Sequence, residues 1–282
     1  LDFIYFYMMI PTHDSEKTQR KEIIVERLKK LNAYDFTRPH RHNYFELFFF
    51  LKGGGYHKID FIDFPIKAGS VHIVAPGQVH QMKRELDSEG FVVLFELNAL
   101  EAPLAIQDFL FEHICMDASE KKPSYSFSEN ETPNLNSKIK SIWELFNNKD
   151  DLSKLSLRNE IQSLCIACMR MVKEPVTRKQ SEYMHFRKLL HSNFSTIKKV
   201  KEYAAKLGIT EKTLNEIVKK STGQSASSII YKQLIMEAKR LLNTNISIKE
   251  TAYSLNFDDP AHFSKFFKTQ TGISPSEFQN YT

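Results

Sequence analysis

The sequence predicts two domains in series, an all-β domain with a helical extension followed by an all-α domain. Three observations predict this order. Short aromatic and β-branched runs separated by Gly and Pro fill roughly the first third of the 282 residues, and such runs are typical of a barrel or a sandwich. After Pro103 the apolar residues recur at a helical period. From Tyr183 onward the sequence is helical with short breaks, and one stretch of it is repeated.

The β domain contains four strand-like runs, Tyr44–Leu51, Tyr56–Phe64, Ser70–Ala75 and Phe91–Leu97. Glycine and proline stand between these runs, as expected for turns. The triplet Gly53–Gly55 between the first two runs predicts a hairpin turn. A phosphate-binding loop would need Gly-Lys followed by Ser or Thr at the start of a helix, and the triplet lacks that continuation.

The helical extension consists of two predicted helices, Leu135–Asn147 and Leu152–Lys173, and a linker over residues 174–181. In the second helix Ile161, Leu164, Cys168 and Met171 form one apolar stripe. This stripe predicts either a contact with a second subunit or packing onto its own domain. We expect Cys165 and Cys168 to be core residues and not a metal or redox site, because no second cysteine pair accompanies them.

The C-terminal part contains an internal repeat of about 48 residues. Residues 200–207 align with residues 248–255, and Lys201, Glu202, Ala204 and Leu207 are matched by Lys249, Glu250, Ala252 and Leu255. The match continues through the segments that follow. Each copy predicts a short helix, a turn and a second helix.

Capping residues mark the helix boundaries in both copies. In the first copy Thr210 can cap the second helix and Gly223 can end it. In the second copy Asp259 and Gly272 stand at the corresponding places. Asn256 lies in the second turn, where Asn tolerates a positive φ better than most residues do. Each copy therefore has the pattern of a helix-turn-helix unit.

The positive charge is concentrated in this repeated part. Residues 183–282 contain 15 Lys and Arg against 8 Asp and Glu, whereas residues 1–182 contain 24 against 26. A basic domain attached to a near-neutral one is typical of proteins that bind a polyanion. In a helix-turn-helix unit the second helix enters the major groove of DNA, and successive groove faces lie about 34 Å apart. A connecting helix over Ser225–Leu242, about 27 Å long, would place two such helices in adjacent turns of double-stranded DNA.

The same residues resemble the signature of the AraC/XylS family of transcriptional regulators. The resemblance covers Glu237–Leu242, Asn256–Asp258, His262–Lys268 and Gly272–Phe278. It implies that the base-reading positions are Lys212, Asn215 and Glu216 in the first unit and Ala261, His262 and Lys265 in the second. Thr213 belongs to the same exposed face, and we expect Lys219 and Lys268 to contact phosphates. Gln279 stands where the family commonly has Arg, which weakens the expectation of a phosphate contact there.

Two segments of the β domain resemble the motifs of a cupin. His40, His42 and Glu46 resemble the first motif, and His80 after Pro76-Gly77 resembles the second. Positions 40, 42 and 46 share parity, so on one strand their side chains would point to one face. The resemblance implies a cupin-like barrel, and by the same parity Tyr44, Phe48 and Phe50 would line the same cavity.

This polar set has three interpretations: an effector site, a metal site of an enzyme or of a metal-loaded sensor, or buried structural histidines. Fusion to a DNA-binding domain favours the effector site. We therefore expect a small-molecule effector at His40, His42, Tyr44, Glu46, Phe48 and His80. We expect no metal, no other cofactor and no catalytic activity; the alternative is a metal-dependent cupin enzyme or a metal-loaded sensor fused to a DNA-binding module.

The predicted boundaries are residues 1–118 for the cupin-like sensor, 119–181 for the loop, the helical dimerisation region and the linker, and 182–282 for the double helix-turn-helix domain. We expect a homodimer, and contact with RNA polymerase if the chain is an activator. No apolar run approaches the roughly 20 residues of a membrane span, and residues 1–10 lack the basic start of a secretory signal. With only three cysteines, this indicates a soluble cytoplasmic protein.

Overall fold

The computed structural model describes residues 23–28, 39–115, 122–148, 150–172, 178–244 and 246–281. The chain divides into two compact units, Leu1–Lys173 and Glu174–Thr282. The apolar opening at residues 1–10 and residues 174–177 of the predicted linker lie outside the described residues. The last four residues of that linker are already helical, since a helix begins at Arg178.

The N-terminal unit contains eight described strands in two antiparallel sheets. They are β1 Ile24–Arg27, β2 Phe45–Lys52, β3 Gly55–Ile59, β4 Ile62–Pro65, β5 Ser70–Val74, β6 His80–Arg84, β7 Glu89–Phe95 and β8 Ser124–Ser126. The larger sheet has the order β1-β7-β2-β5-β8, and the smaller has the order β4-β3-β6. Strand β2 is central, and alternate residues of it face opposite sides. Its Phe45, Leu47 and Phe49 join one core, and its Phe48 and Phe50 join the other.

The predicted all-β domain with a helical extension is confirmed, but its two sheets do not close into the predicted barrel. Phe48 of the larger sheet packs in one core with Ile59 and Met82 of the smaller sheet, so the sheets face each other. Within the described ranges, however, no strand is paired to both sheets. A run with buried residues on one face is compatible with a barrel and with two facing sheets. The sequence pattern therefore did not distinguish the two.

The glycine triplet does not form a hairpin, because β2 and β3 belong to different sheets. It carries the chain from one sheet to the other, with Gly54 and Gly55 at φ values of 122° and 92°. The predicted strand Tyr56–Phe64 is in fact the hairpin β3–β4, which turns at Asp60 and Phe61 with φ values of 44° and 73°. Two successive positive φ values are typical of a tight hairpin turn. This turn was not predictable from the sequence, because neither residue is glycine.

Three helices complete the N-terminal unit: α1 Leu104–Cys115, α2 Thr132–Asn147 and α3 Asp151–Met171. Helix α3 packs its stripe against its own unit, since Ile161, Leu164 and Cys168 are fully buried in the core that β2 shares. Of the two interpretations of the stripe, packing onto the same domain is therefore confirmed. Burial also raises the pKa of the Cys165 thiol to about 12, so this cysteine stays protonated and unreactive at neutral pH.

The C-terminal unit is all-helical in its described residues. Its helices are α4 Arg178–Asn193, α5 Val200–Lys206, α6 Glu211–Thr222, α7 Ala226–Leu242, α8 Ile248–Ser254, α9 Pro260–Thr271 and α10 Pro275–Tyr281. Helix α7 connects the two copies of the repeat. Among the described residues, no helix of either unit has the length and apolar character of a membrane-spanning segment.

Candidate DNA-binding helices and buried histidine cluster

The two copies of the repeat fold in the same way, as α5–α6 and α8–α9. Their turns have a left-handed residue at the same place, Gly208 with φ 68° and Asn256 with φ 55°. The positive φ expected at Asn256 is thus confirmed. In each turn a backbone N–H donates to the carbonyl oxygen of the matched alanine at 3.0 Å, from Ile209 to Ala204 and from Phe257 to Ala252. Both alanines are buried, and their small side chains allow the two helices of a copy to approach closely.

The predicted capping residues are found at both ends of the second helix of each copy. The Thr210 hydroxyl accepts from the Thr213 N–H at 3.1 Å, and the Asp259 carboxylate accepts from the Ala261 N–H at 2.8 Å. Gly223 and Gly272 end α6 and α9 in the left-handed conformation. These contacts satisfy backbone groups that a helix end leaves without partners. They define where each second helix begins.

The exposed faces of α6 and α9 carry most of the predicted DNA contacts. Leu214 and Val218 of α6 and Phe263 and Phe267 of α9 are fully buried, which orients the opposite faces outward. The exposed predicted residues are Lys212, Glu216, Lys219, Ala261, His262, Lys265 and Lys268, whereas Thr213 and Asn215 are partly buried. Four of the exposed predicted residues are lysines, two on each helix: Lys212 and Lys219 on α6, and Lys265 and Lys268 on α9.

The side-chain amide of Asn215 is hydrogen-bonded within the unit. Its Nδ2 donates to the Glu211 carbonyl at 3.1 Å, and its Oδ1 accepts from the Ala226 N–H at 3.1 Å. The second bond joins α6 to the first turn of α7. Asn215 therefore positions α6 against the connecting helix.

Replacement of Asn215 by alanine is expected to lower the free energy of unfolding by about 1–2 kcal/mol, since the first turn of α7 loses an acceptor. Urea unfolding of the full chain measures this change. Lys212→Ala, on the exposed face of the same helix, is the control and should alter stability by less than about 0.5 kcal/mol. Equal stability of the Asn215 and Lys212 variants would contradict the positioning role.

Lys198, which is not among the residues predicted from the sequence, links the two copies. It precedes α5, yet its Nζ donates to the Asn256 carbonyl oxygen at 2.6 Å and lies 3.7 Å from the centre of the Phe257 ring. Burial lowers the pKa of this lysine, while Asp258 opposes that change. The lysine thus ties the start of the first copy to the turn of the second. Nothing in the local pattern marked it, because the contact spans 58 residues.

Gln279 also has a contact within the unit. Its Nε2 donates to the carbonyl oxygens of Leu242 at 3.3 Å and of Ile246 at 2.9 Å. These carbonyls lie at and just beyond the end of α7. Gln279 therefore holds α10 against the end of α7, in agreement with the weakened expectation of a phosphate contact at this position.

In the N-terminal unit all six predicted effector residues are buried and near one another. His40, His42, Tyr44, Glu46, Phe48 and His80 are each 6% exposed or less. Only Glu46 and Phe48 lie on β2; His40 and His42 precede it, and His80 begins β6. The expectation that positions 40, 42 and 46 share one strand is wrong. His40 instead pairs with His80 through two backbone hydrogen bonds.

Three ligand-type atoms converge in this cluster. The Nε2 of His42 lies 3.2 Å from the Nε2 of His80, and the Oε2 of Glu46 lies 3.1 Å from the former and 3.5 Å from the latter. The Nδ1 of His42 is 2.8 Å from the Tyr44 carbonyl oxygen. Because a carbonyl can only accept, this nitrogen carries the proton. The Nε2 of His42 is therefore the nitrogen that faces Glu46 and His80.

Two further histidines, neither of which was predicted from the sequence as a site residue, extend the cluster. The Nε2 of His57 on β3 is 3.1 Å from the Nδ1 of His80, and the Nδ1 of His72 on β5 is 3.3 Å from the Nδ1 of His57. Burial, followed by the neighbouring histidines, holds the pKa of His57 and His80 well below the usual range. Burial also lowers the pKa of His72 to about 4. The only sequence signal was His72 itself, a polar residue inside an apolar run.

A buried network positions His80. The loop before it contains Gly77, whose N–H donates to the His42 carbonyl oxygen at 2.8 Å. Next in the loop, Gln78 donates to the Asp60 carboxylate at 2.9 Å and accepts from the Ala75 N–H at 2.7 Å. The N–H of Val79 also donates to Asp60, at 3.3 Å. The β3–β4 turn, which contains Asp60, therefore sets the direction in which His80 points.

Comparisons with known proteins agree with both parts of the structure. A family model described as an AraC-like ligand binding domain matches residues 27–158, and one described as a helix-turn-helix domain matches residues 203–281. The HTH-type transcriptional regulator YfiF of Bacillus subtilis is 25% identical over 267 residues, 88% of this chain and 80% of YfiF. The HTH-type transcriptional activator Btr of the same organism is 26% identical over 86% of this chain, which spans 45% of Btr.

The HTH-type transcriptional activator AarP of Providencia stuartii is 30% identical over 91 residues, 32% of this chain and 67% of AarP. This match and the two family models, which together match most of the chain, point to the same family. The duplicated helix-turn-helix unit, its caps and its exposed cationic faces agree with it. The chain belongs to the AraC family of DNA-binding transcriptional regulators, with an N-terminal ligand-binding domain and a C-terminal helix-turn-helix domain.

Proposed function

We propose that the chain reads promoter DNA through α6 and α9 and that an effector bound by the N-terminal unit changes this binding. The observation that carries the proposal is the duplicated helix-turn-helix unit, whose second helices expose cationic faces. Helix α7 joins the copies and has 17 residues, which gives it a length of about 26 Å. One chain would thereby place its two helices in adjacent major-groove faces of one duplex.

The exposed residues divide into base-reading and phosphate-binding positions. In this proposal Lys212, Thr213, Glu216, Ala261, His262 and Lys265 face base edges, and Lys219 and Lys268 face phosphates. Asn215 affects base recognition indirectly, because its hydrogen bonds set the position of α6. Ala261 can offer only an apolar contact, for example to a thymine methyl group. A carboxylate such as Glu216 can accept a hydrogen bond from cytosine.

Replacing Lys265 by alanine is expected to reduce discrimination between preferred and altered duplexes by about 1–3 kcal/mol, because a base contact is lost. Replacing Lys219 by alanine should instead weaken binding to all duplexes to a similar degree and reduce the salt dependence by about one ion. Mobility-shift titrations on duplexes selected by the unaltered chain, at several salt concentrations, measure both effects. The reverse pattern would contradict the assignment.

The proposed effector site is in the N-terminal unit, at the cluster formed by His40, His42, Tyr44, Glu46, Phe48 and His80. The match of residues 27–158 to a ligand-binding domain supports this location, as do the buried polar groups. Effector binding regulates DNA affinity only if the effector binds two states of the chain with different affinities. Titration of DNA with and without a ligand found by thermal-shift screening tests this coupling, and unchanged affinity would refute it.

We also propose that the chain works as a cytoplasmic homodimer with four helix-turn-helix units, and that it contacts RNA polymerase if it activates transcription. Leu152 and Leu155 of α3 are exposed by 76% and 51%, so this face is available to a second copy. Light scattering of the purified chain tests the dimer. A catalytic role has less support than a regulatory one, because the relatives YfiF, Btr and AarP are named as transcriptional regulators or activators.

A further inference from the structure

The spacing of the three convergent atoms in the histidine cluster is suited to an ion. The His42 Nε2, His80 Nε2 and Glu46 Oε2 atoms are separated by 3.1, 3.2 and 3.5 Å. A tetrahedral ion with bonds of about 2.0–2.1 Å places neighbouring ligand atoms about 3.3 Å apart. The three residues meet the geometric condition for a metal site.

The hydrogen-bond pattern of the cluster is incomplete without a cation. His42 donates its Nδ1 proton to the Tyr44 carbonyl oxygen, so its Nε2 is the nitrogen that lies 3.1 Å from the Glu46 carboxylate. In the described part of the structure the Glu46 Oε2 is buried and has no hydrogen-bond partner. A buried carboxylate is costly unless it is paired or coordinates a metal, and a cation among the three atoms would satisfy all of them.

The remaining histidines provide the support that metal-bound imidazoles commonly have. With its Nε2 on an ion, His80 would donate its Nδ1–H to the His57 Nε2 at 3.1 Å. His57 would in turn donate its Nδ1–H to the His72 Nδ1 at 3.3 Å. His42 already has such a partner in the Tyr44 carbonyl. Hydrogen bonds of this kind orient the ligand rings and select the tautomer that binds metal.

We propose that the N-terminal unit binds one divalent transition-metal ion through His42, Glu46 and His80. Two imidazoles and one carboxylate suit zinc, iron or manganese, and an ion bound by three residues keeps a position for water or for a donor atom of an effector. This departs from the sequence-based expectation of no metal. The ion site follows from the contacts of the cluster; its role as the sensed ligand, or as the anchor of that ligand, rests on the proposed regulatory function.

The test uses the full chain after a chelator has removed bound metal. Calorimetric titration with Zn²⁺ measures affinity and stoichiometry. Elemental analysis, after free zinc is removed, measures the metal that stays bound. We expect one tightly bound ion per chain. Glu46→Gln and His80→Gln should abolish this binding, because each removes a ligand while roughly keeping side-chain size. His57→Phe should weaken it by about 10–100-fold through loss of an outer partner.

The matched control is His113→Gln. His113 is 1% exposed in the same unit and bonds to Phe109 and Tyr125, so its loss disturbs the core without touching the cluster, and zinc binding should persist. Absence of bound zinc in the unaltered chain would overturn the proposal. Equal zinc binding by the ligand variants and the control would also overturn it, because the ion would then lie elsewhere.

A second measurement covers ligand variants that fail to fold. Co²⁺ bound to the unaltered chain should give the intense visible absorption of a four-coordinate site, and only the weak bands of aqueous Co²⁺ would count against the proposal. Fluorescence anisotropy of labelled DNA measures DNA affinity with and without zinc, and so tests the regulatory role independently of the metal site. Stoichiometric zinc with unchanged DNA affinity would leave the metal site in place and refute only its role in regulation.

Discussion

Replacement of Phe267 by alanine is expected to destabilise the C-terminal unit by about 3–5 kcal/mol. The Phe267 side chain is fully buried, and its ring centre lies 5.9 Å from that of Phe263 and 5.8 Å from that of Phe278. Its loss would leave a cavity at the point where α9 meets α10. Because α9 is one of the two proposed recognition helices, DNA binding should fall together with stability.

Urea unfolding of the full chain, followed by far-ultraviolet circular dichroism, measures the effect of Phe267→Ala. Gln270→Ala is the control, since Gln270 is exposed on the same helix and its replacement should change stability by less than about 0.5 kcal/mol. A similar small change for both variants would show that the aromatic cluster contributes little to the unit.

Replacement of Gly55 by alanine is expected to destabilise the N-terminal unit by more than about 4 kcal/mol, the range of exceptional substitutions. Gly55 has a φ of 92°, and a Cβ added there would lie 2.0 Å from the Lys83 carbonyl oxygen. Backbone would have to move, because the clash involves a carbonyl of the paired strand β6. The positive φ adds a further cost of about 1–2 kcal/mol for any residue with a Cβ.

Gly77 provides a matched control for Gly55. Its φ is 82°, but no atom lies within 4 Å of an added Cβ, so Gly77→Ala should cost only the conformational term of about 1–2 kcal/mol. Thermal unfolding of the two variants compares the costs directly. Equal melting temperatures would mean that β3 and β6 separate easily enough to accept the methyl group.

The double helix-turn-helix was predictable because its determinants are local. The caps at Thr210 and Asp259, the left-handed turn at Asn256 and the terminal glycines act over at most five residues. The repeat then showed that the same pattern occurs twice. The roles of Asn215 and Lys198 were not predictable from the sequence, because their bonds reach the start of α7 and the second turn, at separations of 11 and 58 residues.

In the N-terminal unit the strand-like runs were predictable, but their partners were not. The alternation of buried residues in β2 is visible in the sequence, whereas the division into two sheets depends on pairing between distant strands. The β3–β4 hairpin was missed because Asp60 and Phe61 adopt positive φ without glycine. Motif resemblance identified His42, Glu46 and His80, but gave no distances between them.

The family, the order of the two domains, the helix-turn-helix units and their exposed faces could all be inferred from the amino-acid sequence, because each depends on residues close together in the chain. The folded structure was needed to show that His57 and His72 join His80, and that three ligand atoms meet within 3.5 Å. Two of these contacts, His57–His72 and Glu46–His80, join strands of different sheets. Their geometry is set by strand pairing and by the Asp60–Gln78 network, whose members are 18 residues apart, and local sequence preferences carry no information about such distances.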